Sequence, residues 1–145
     1  MELHDPTLHQ KLIEMCDCYL DTDYPAKLHA MVSTPLADTA EESTKYLALA
    51  LLYALTEKAR KLSFKRKQEH VTVTITVDDD KISLPTPPRP LFEGIMQTLR
   101  NILHLEGNKA AMPLALGLRN GDIELQVKME AEKDKESLKI KLPQL

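Results

Sequence analysis

The sequence predicts an α+β fold in which a helical first half, residues 1–62, packs on one face of a mainly antiparallel sheet formed by residues 70–145. Apolar residues of the first half recur every three or four positions, which is typical of amphipathic helices. Many apolar residues of the second half alternate with polar ones, which is typical of strands that bury one face. A chain of 145 residues is long enough for one core, so we expect a single domain, residues 1–145, with two layers.

Three helices are predicted in the first half. The first has an apolar stripe from Leu8 to Leu20 and Pro6 in its first turn, and the residue pair Tyr24-Pro25 separates it from a short second helix over Ala26–Met31. Thr39 and Glu42 have the spacing of a capping box, so the third helix is predicted to begin at Thr39 and to run to about Leu62. Its stretch 46–55 is apolar on all sides, which predicts either the central helix of the domain or part of a dimer interface.

Two hairpins that flank a fourth helix, and a C-terminal strand, account for about five predicted strands. Val71–Val77 alternates with threonine, and a turn at 78–80 is predicted to place Ile75 opposite Leu84. A helix is predicted from Pro90 to the stop at Gly107.

The second hairpin is predicted at Asn120-Gly121, a pair that suits a two-residue turn. This turn would place Leu116 opposite Leu125 and every large apolar side chain of both strands on one face. The C-terminal strand is predicted to direct Leu138 and Ile140 inward.

The cellular context is predicted to be cytoplasmic. Residues 1–7 do not have the pattern of a secretory signal, and the longest apolar run, 46–55, is too short to span a bilayer. Cys16 and Cys18 lie two residues apart in a helical pattern and cannot easily form a disulfide with each other, which fits a reducing compartment.

No pattern for common cofactor or catalytic sites is present. The four glycines are not spaced to hold a phosphate, and no nucleophile elbow or zinc-hydrolase helix occurs. We therefore expect no cofactor, no metal site and no enzyme. One enzymatic alternative remains open, a site assembled from distant residues such as His70, His104 and the aspartates of the 78–80 turn.

The segment 58–67 has the one unusual charge distribution, because it holds six basic residues and no acidic one. Such a cluster can contact phosphates or an acidic partner, and an aromatic residue among the cations can stack on a base. Basic residues at the end of a long helix also complement its dipole, which is the structural alternative. The candidate binding residues are Lys58, Arg60, Lys61, Phe64, Lys65, Arg66 and Lys67.

The expected function is that of a non-enzymatic protein-interaction or regulatory domain that associates with itself as a homodimer, or with another protein. The contact would be made by the leucine-rich third helix or by a free edge of the sheet. The alternative is binding to nucleic acid or another polyanion through the segment 58–67.

Overall fold

A computed structural model describes residues 8–33, 38–104, 107–118 and 121–143. Four helices pack against a six-stranded antiparallel sheet, which confirms the α+β prediction and corrects the strand number from five to six. The elements in chain order are α1 (Leu8–Cys18), α2 (Tyr24–Ser33), α3 (Thr39–Thr56), β1 (Lys61–Lys67), β2 (His70–Val77), β3 (Asp80–Ser83), α4 (Arg89–Leu103), β4 (Lys109–Leu118), β5 (Gly121–Ala131) and β6 (Lys135–Lys141).

The sheet has the strand order β3-β2-β1-β6-β5-β4. Strands β1 to β3 form one meander and β4 to β6 form another. The two meanders join where β1 pairs with β6, with Leu62 opposite Ile140 and Phe64 opposite Leu138. The centre of the sheet is therefore built by two strands that are far apart in the sequence.

Strand β1 replaces the predicted end of the third helix, since α3 ends at Thr56. Only Leu62 and Phe64 are apolar among the seven residues of β1, so the alternation that marks a strand was hidden by basic residues. The strand forms because β2 and β6 satisfy its backbone hydrogen bonds on both sides. Most of the basic segment thus lies in the middle of the sheet, and only its first residues lie at the end of α3.

The N-cap of α3 differs from the predicted one by one residue. Asp38 is the N-cap, and its carboxylate accepts a hydrogen bond from the backbone N–H of Glu41 at 3.1 Å. The predicted capping box of Thr39 and Glu42 is therefore wrong. Aspartate caps helices at least as well as threonine, so Asp38 takes the role one position earlier.

Both predicted hairpin registers are shifted by two residues. Ile75 lies opposite Ile82, and Leu116 lies opposite Ile123. A shift of two keeps every side chain on its face, so the apolar pattern cannot distinguish the two registers. The first hairpin closes tightly after Val77, and Asp78 adopts a φ of 54°. Asn120 lies outside the described residues.

Helix α3 is the central helix of the domain, which was one of the two roles predicted for it. It contacts each of the other three helices and β1. Most of its apolar residues are buried within the chain itself, while Tyr53 and Leu55 are partly buried, and Tyr46 packs edge to face on Phe64 with ring centroids 6.2 Å apart. The leucines of α3 therefore contribute mainly to the core of the domain. None of the described helices is long and apolar enough to cross a membrane.

Candidate functional site: a lysine-rich face of the sheet

The helices cover one face of the sheet and leave the other, which we call the open face. Side chains alternate between the faces, so Leu62 and Phe64 of β1 are buried under the helices while Lys65 and Lys67 are exposed on the open face. The strand pairings place residues of all six strands on this face. The lysines of the open face are Lys61, Lys65, Lys67, Lys81, Lys109, Lys128, Lys135, Lys139 and Lys141.

Several of these lysines lie directly opposite each other on neighbouring strands. Lys61 pairs with Lys141 and Lys67 with Lys135 across the central β1–β6 junction. Lys128 pairs with Lys139 between β5 and β6. Like charges in directly opposed positions, with Cβ atoms about 5 Å apart, destabilise a sheet. Repeated departures of this kind from a rule of stability are expected at functional sites.

The positive charges of the open face are mostly not neutralised. Among the residues that the structure describes, only Lys128 of this face has a carboxylate within salt-bridge distance, that of Glu130 at 3.3 Å. Partial burial and the nearby charges of Lys139, Lys65, Lys81 and Arg60 hold the pKa of Lys61 below its ordinary value. The acidic residues of the open face lie on β5: Asp122, Glu124 and Glu130.

Hydroxyl groups fill the positions between the lysines. Thr72 and Ser137 flank Lys65 on the neighbouring strands, and Thr74 and Ser83 continue the pattern toward the β3 edge. Lysine, serine and threonine are residue types that commonly contact phosphate oxygens.

The seven residues predicted from the segment 58–67 separate into three groups. Lys61, Lys65 and Lys67 lie on the open face. Lys58 lies in the turn that ends α3. Arg60 precedes β1, and its Nε donates a hydrogen bond to the carbonyl oxygen of Asp78 at 3.2 Å. The segment is therefore not one continuous surface.

Phe64 and Arg66, the third group, lie on the helix-covered face. Phe64 is fully buried, so its ring presents no surface on which a base could stack. Arg66 is 6% exposed, and its Nη2 donates to Oε1 of Glu136 at 2.7 Å. Its Nη1 donates to the carbonyl oxygen of Gln68, also at 2.7 Å. The charge of Arg66 is thus already compensated inside the protein.

The lysines of the open face that lie outside the segment 58–67 were not identified from the sequence as candidate binding residues. Lys139 and Lys141 alternate with inward apolar residues, so their outward direction is visible in the sequence. What the sequence does not show is that β6 lies beside β1. A pairing between strands about 70 residues apart has no local signal in a single sequence.

A cleft of about 370 Å³ lies at one end of the open face. Here the β1–β2 turn meets the loop between β5 and β6, and the backbone N–H of Gln68 donates to the carbonyl oxygen of Asp134 at 2.7 Å. The cleft is lined by Lys65, Arg66, Lys67, His70, Thr72, Glu130, Glu132, Lys135, Glu136 and Ser137.

A second cleft, of about 460 Å³, lies between α1 and the start of α3. Its charged lining residues are Lys11, Glu14, Asp38 and Glu41, together with the exposed thiol of Cys18. This mixture presents neither a uniform charge nor a cluster of metal ligands. The neighbouring Cys16 is buried, and burial together with the charge of Asp17 raises the pKa of its thiol to about 12, so it is not a reactive thiolate.

The residues of the enzymatic alternative are not brought together. His70 begins β2 and Asp78 follows its last residue, so about 25 Å of strand separates them. His104 ends α4, in the helical layer. Within the described ranges, no group of three His, Cys, Asp or Glu side chains could hold a metal ion.

Comparison with known proteins adds no function to this geometry. No protein-family model matches the chain, and no curated protein matches it. The chemistry of the open face is therefore the evidence from which a function is inferred.

Proposed function

We propose that the open face binds a polyanion, and that the sugar-phosphate backbone of nucleic acid is the polyanion which its residue types favour. The observation that carries this proposal is the band of lysines over β1 and β6, for which the described residues provide no carboxylate within salt-bridge distance. From Lys61 to Lys67 the band is about 20 Å long. Lys81 and Lys128 widen it on either side, beyond β2 and on β5.

The residue types of the open face favour contact with a backbone without reading of bases. The chain has six aromatic residues and no tryptophan. The tyrosines and Phe92 lie in or beside the helices, and Phe64 is on the covered face, so none of the described tyrosine and phenylalanine rings is available on the open face for base stacking. Lysine and hydroxyl contacts to phosphates are independent of sequence. We therefore expect similar affinities for oligonucleotides of different sequence.

The distribution of charge supports the same proposal, although the whole chain has a net charge of −3. Residues 1–57 contain ten acidic and three basic side chains, and the described part of this stretch forms the helical layer. The excess of negative over positive charge thus lies in this part of the helical layer, on the opposite side of the molecule from the lysines. Such a separation of negative and positive charge would steer a polyanion toward the open face.

The test compares a lysine of the open face with a lysine of the segment 58–67 that lies off this face. Fluorescence anisotropy of a labelled oligonucleotide is measured with Lys141→Glu, which lies on the open face but outside the segment, and with Lys58→Glu, which lies in the segment but off the face. Both substitutions change the net charge equally. We expect Lys141→Glu to weaken binding severalfold and to reduce the slope of log affinity against log salt by about 1, while Lys58→Glu has little effect.

Two results would contradict the proposal. Equal weakening by both variants would show that only net charge matters. Absence of binding to single-stranded and double-stranded oligonucleotides at low salt would exclude nucleic acid and leave an acidic protein as the partner of this face.

A second candidate function is self-association through the outer edge of β4, as the sequence hypothesis of a homodimer allows. β4 ends the sheet, and Met112 on it is 41% exposed, the one large apolar side chain that is exposed among the described residues. His9 from α1 covers part of this edge, because its Nε2 lies 2.7 Å from the carbonyl oxygen of Ala115. Light scattering after size-exclusion chromatography should show a dimer that Met112→Lys converts to a monomer; a monomeric wild type at micromolar concentration would exclude it.

A further inference from the structure

The cleft at the end of the open face differs from the rest of the lysine band in its shape and in the density of its polar groups. His70, Lys67 and Lys135 form one row across β2, β1 and β6. Thr72, Lys65 and Ser137 form the next row across the same strands. With strands about 5 Å apart and rows about 7 Å apart, these six side chains start from a patch of roughly 10 by 7 Å.

We propose that this cleft binds a phosphomonoester group, on the three ammonium groups of Lys65, Lys67 and Lys135. This inference rests on the proposed function insofar as the group belongs to the end of a nucleic-acid strand. A phosphomonoester carries nearly two negative charges and three strong acceptor oxygens, whereas each phosphodiester of a backbone carries one charge. Three ammonium groups, with the hydroxyls of Thr72 and Ser137 on either side of Lys65, match the charge and the acceptor oxygens of a monoester better than those of a diester.

The carboxylates that line the cleft define where the phosphate lies. Glu136 is engaged by Arg66, and Glu130 lies 3.3 Å from the ammonium group of Lys128. Glu132 lies in the loop after β5, on the side of the cleft away from β2. An anion is therefore favoured over β1, between Lys65, Lys67 and Lys135, and Glu132 is placed to accept hydrogen bonds from hydroxyl or amino groups of the rest of the ligand.

The size of the cleft agrees with a ligand larger than phosphate. Its volume of about 370 Å³ lies within the range of about 300 to 1,000 Å³ that is typical of small-molecule sites. A phosphate with an attached sugar or nucleoside would fill more of it than an inorganic ion. The same chemistry can come from the 5′-phosphate at the end of a nucleic-acid strand or from a free phosphorylated small molecule.

The opposite end of the lysine band provides a matched control. Lys61 and Lys141 are directly opposed on β1 and β6, as Lys67 and Lys135 are, but they do not line the cleft. The double variants Lys67→Gln/Lys135→Gln and Lys61→Gln/Lys141→Gln therefore remove equal charge from the same two strands. Circular dichroism of both variants would establish that the fold is retained.

The first experiment uses the unmodified protein. Amide shifts of the ¹⁵N-labelled chain are followed while inorganic phosphate, a nucleoside 5′-monophosphate or the unphosphorylated nucleoside is added at constant ionic strength. We expect the two phosphates to shift residues 65–72 and 135–137 in a saturable way, and the nucleoside to leave them unchanged. Shifts that are equal for phosphate and for chloride would overturn the inference.

The second experiment distinguishes the sources of the phosphate. Anisotropy is compared for oligonucleotides with a 5′-phosphate and with a 5′-hydroxyl. If the strand end is the ligand, the phosphorylated strand binds about tenfold more tightly, and only the Lys67→Gln/Lys135→Gln variant loses this preference. Saturable shifts with the nucleotide but no preference between strands would assign the site to a free phosphorylated small molecule.

Failure of the proposed phosphate site and failure of the proposed nucleic-acid binding would give different results. If both double variants weaken both strands equally and phosphate produces no saturable shift, the open face binds the backbone but the cleft is not a phosphate site. If phosphate and nucleotide bind in the cleft but no oligonucleotide binds, the inference about the cleft holds and the proposed nucleic-acid function is wrong.

Discussion

The two faces of the sheet are made by alternate residues of the same strands, yet they carry opposite chemistry. On the covered face, Phe64 lies between Val73 and Leu138 and is fully buried. One residue away on the open face, Lys65 is exposed. The residues of the covered face contribute to stability through burial, whereas opposed lysines on the open face reduce it. This repulsion motivates the proposal that the open face binds a ligand.

The largest expected effect is on the covered face. Phe64→Ala should lower the free energy of unfolding by about 3 to 5 kcal/mol, because it removes a buried aromatic ring and its edge-to-face contact with Tyr46. Urea denaturation measures this. Lys65→Ala is the control on the other face and should change stability by no more than about 0.5 kcal/mol. Similar losses for the two variants would contradict the assignment of the faces.

A smaller loss is expected for the ion pair beside the cleft. Arg66→Met leaves the carboxylate of Glu136, 22% exposed, without its partner, and should cost about 2 kcal/mol, less than for a fully buried pair. The double variant Arg66→Met/Glu136→Gln should recover part of this loss. Denaturation curves that coincide for the single and double variants would contradict the expectation that the unpaired carboxylate of Glu136 causes part of the loss.

The helical layer that covers the sheet depends on close packing at Gly94. A Cβ atom on this residue would lie 2.1 Å from Oγ of Ser43 on α3. Gly94→Ala should therefore destabilise by about 1 to 2 kcal/mol, although alanine normally favours a helix over glycine. In Gly94→Ala/Ser43→Gly the clash is removed, and thermal denaturation should show a higher midpoint than for Gly94→Ala. A stabilising single substitution would contradict the close α3–α4 contact.

The smallest effect has the opposite sign and belongs to the open face. Lys61→Gln should raise the free energy of unfolding of the unbound protein by about 0.5 kcal/mol, because it removes the repulsion from Lys141. The same substitution should weaken binding of a polyanion. Measuring both on one sample separates the roles: a loss of stability together with unchanged binding would contradict our interpretation of this face.

The lowered pKa of Lys61 also predicts how stability depends on pH. Between its folded-state pKa and the unfolded value of 10.5, the folded protein binds fewer protons than the unfolded chain, so stability should rise with pH across this window. Below the folded-state pKa both states are protonated, and the full cost of the charge remains. Lys61→Gln should show a smaller rise in the same window, and equal slopes would contradict the prediction.

Local patterns were sufficient to predict the α+β class, the presence of four helices and the face on which the apolar residues lie, but not that α3 ends at Thr56 and that β1 follows it. The apolar stretch of α3 predicted either a central helix or part of a dimer interface, and the alternation in Val71–Val77 predicted β2. Each depends on a periodicity within one element, which a single sequence displays. The hairpin registers were wrong by two residues for the same reason, since periodicity determines a face and not a partner.

The candidate site required the tertiary structure. Composition alone identified the basic segment, but its residues separate when β1 forms: Lys61, Lys65 and Lys67 reach the open face, while Phe64 and Arg66 are buried. The lysines of β6 join them only because β1 and β6 pair across about 70 residues of chain. The sequence by itself determined that these lysines point outward; their assembly into one surface was decided by long-range strand pairing, which depends on contacts that no local pattern encodes.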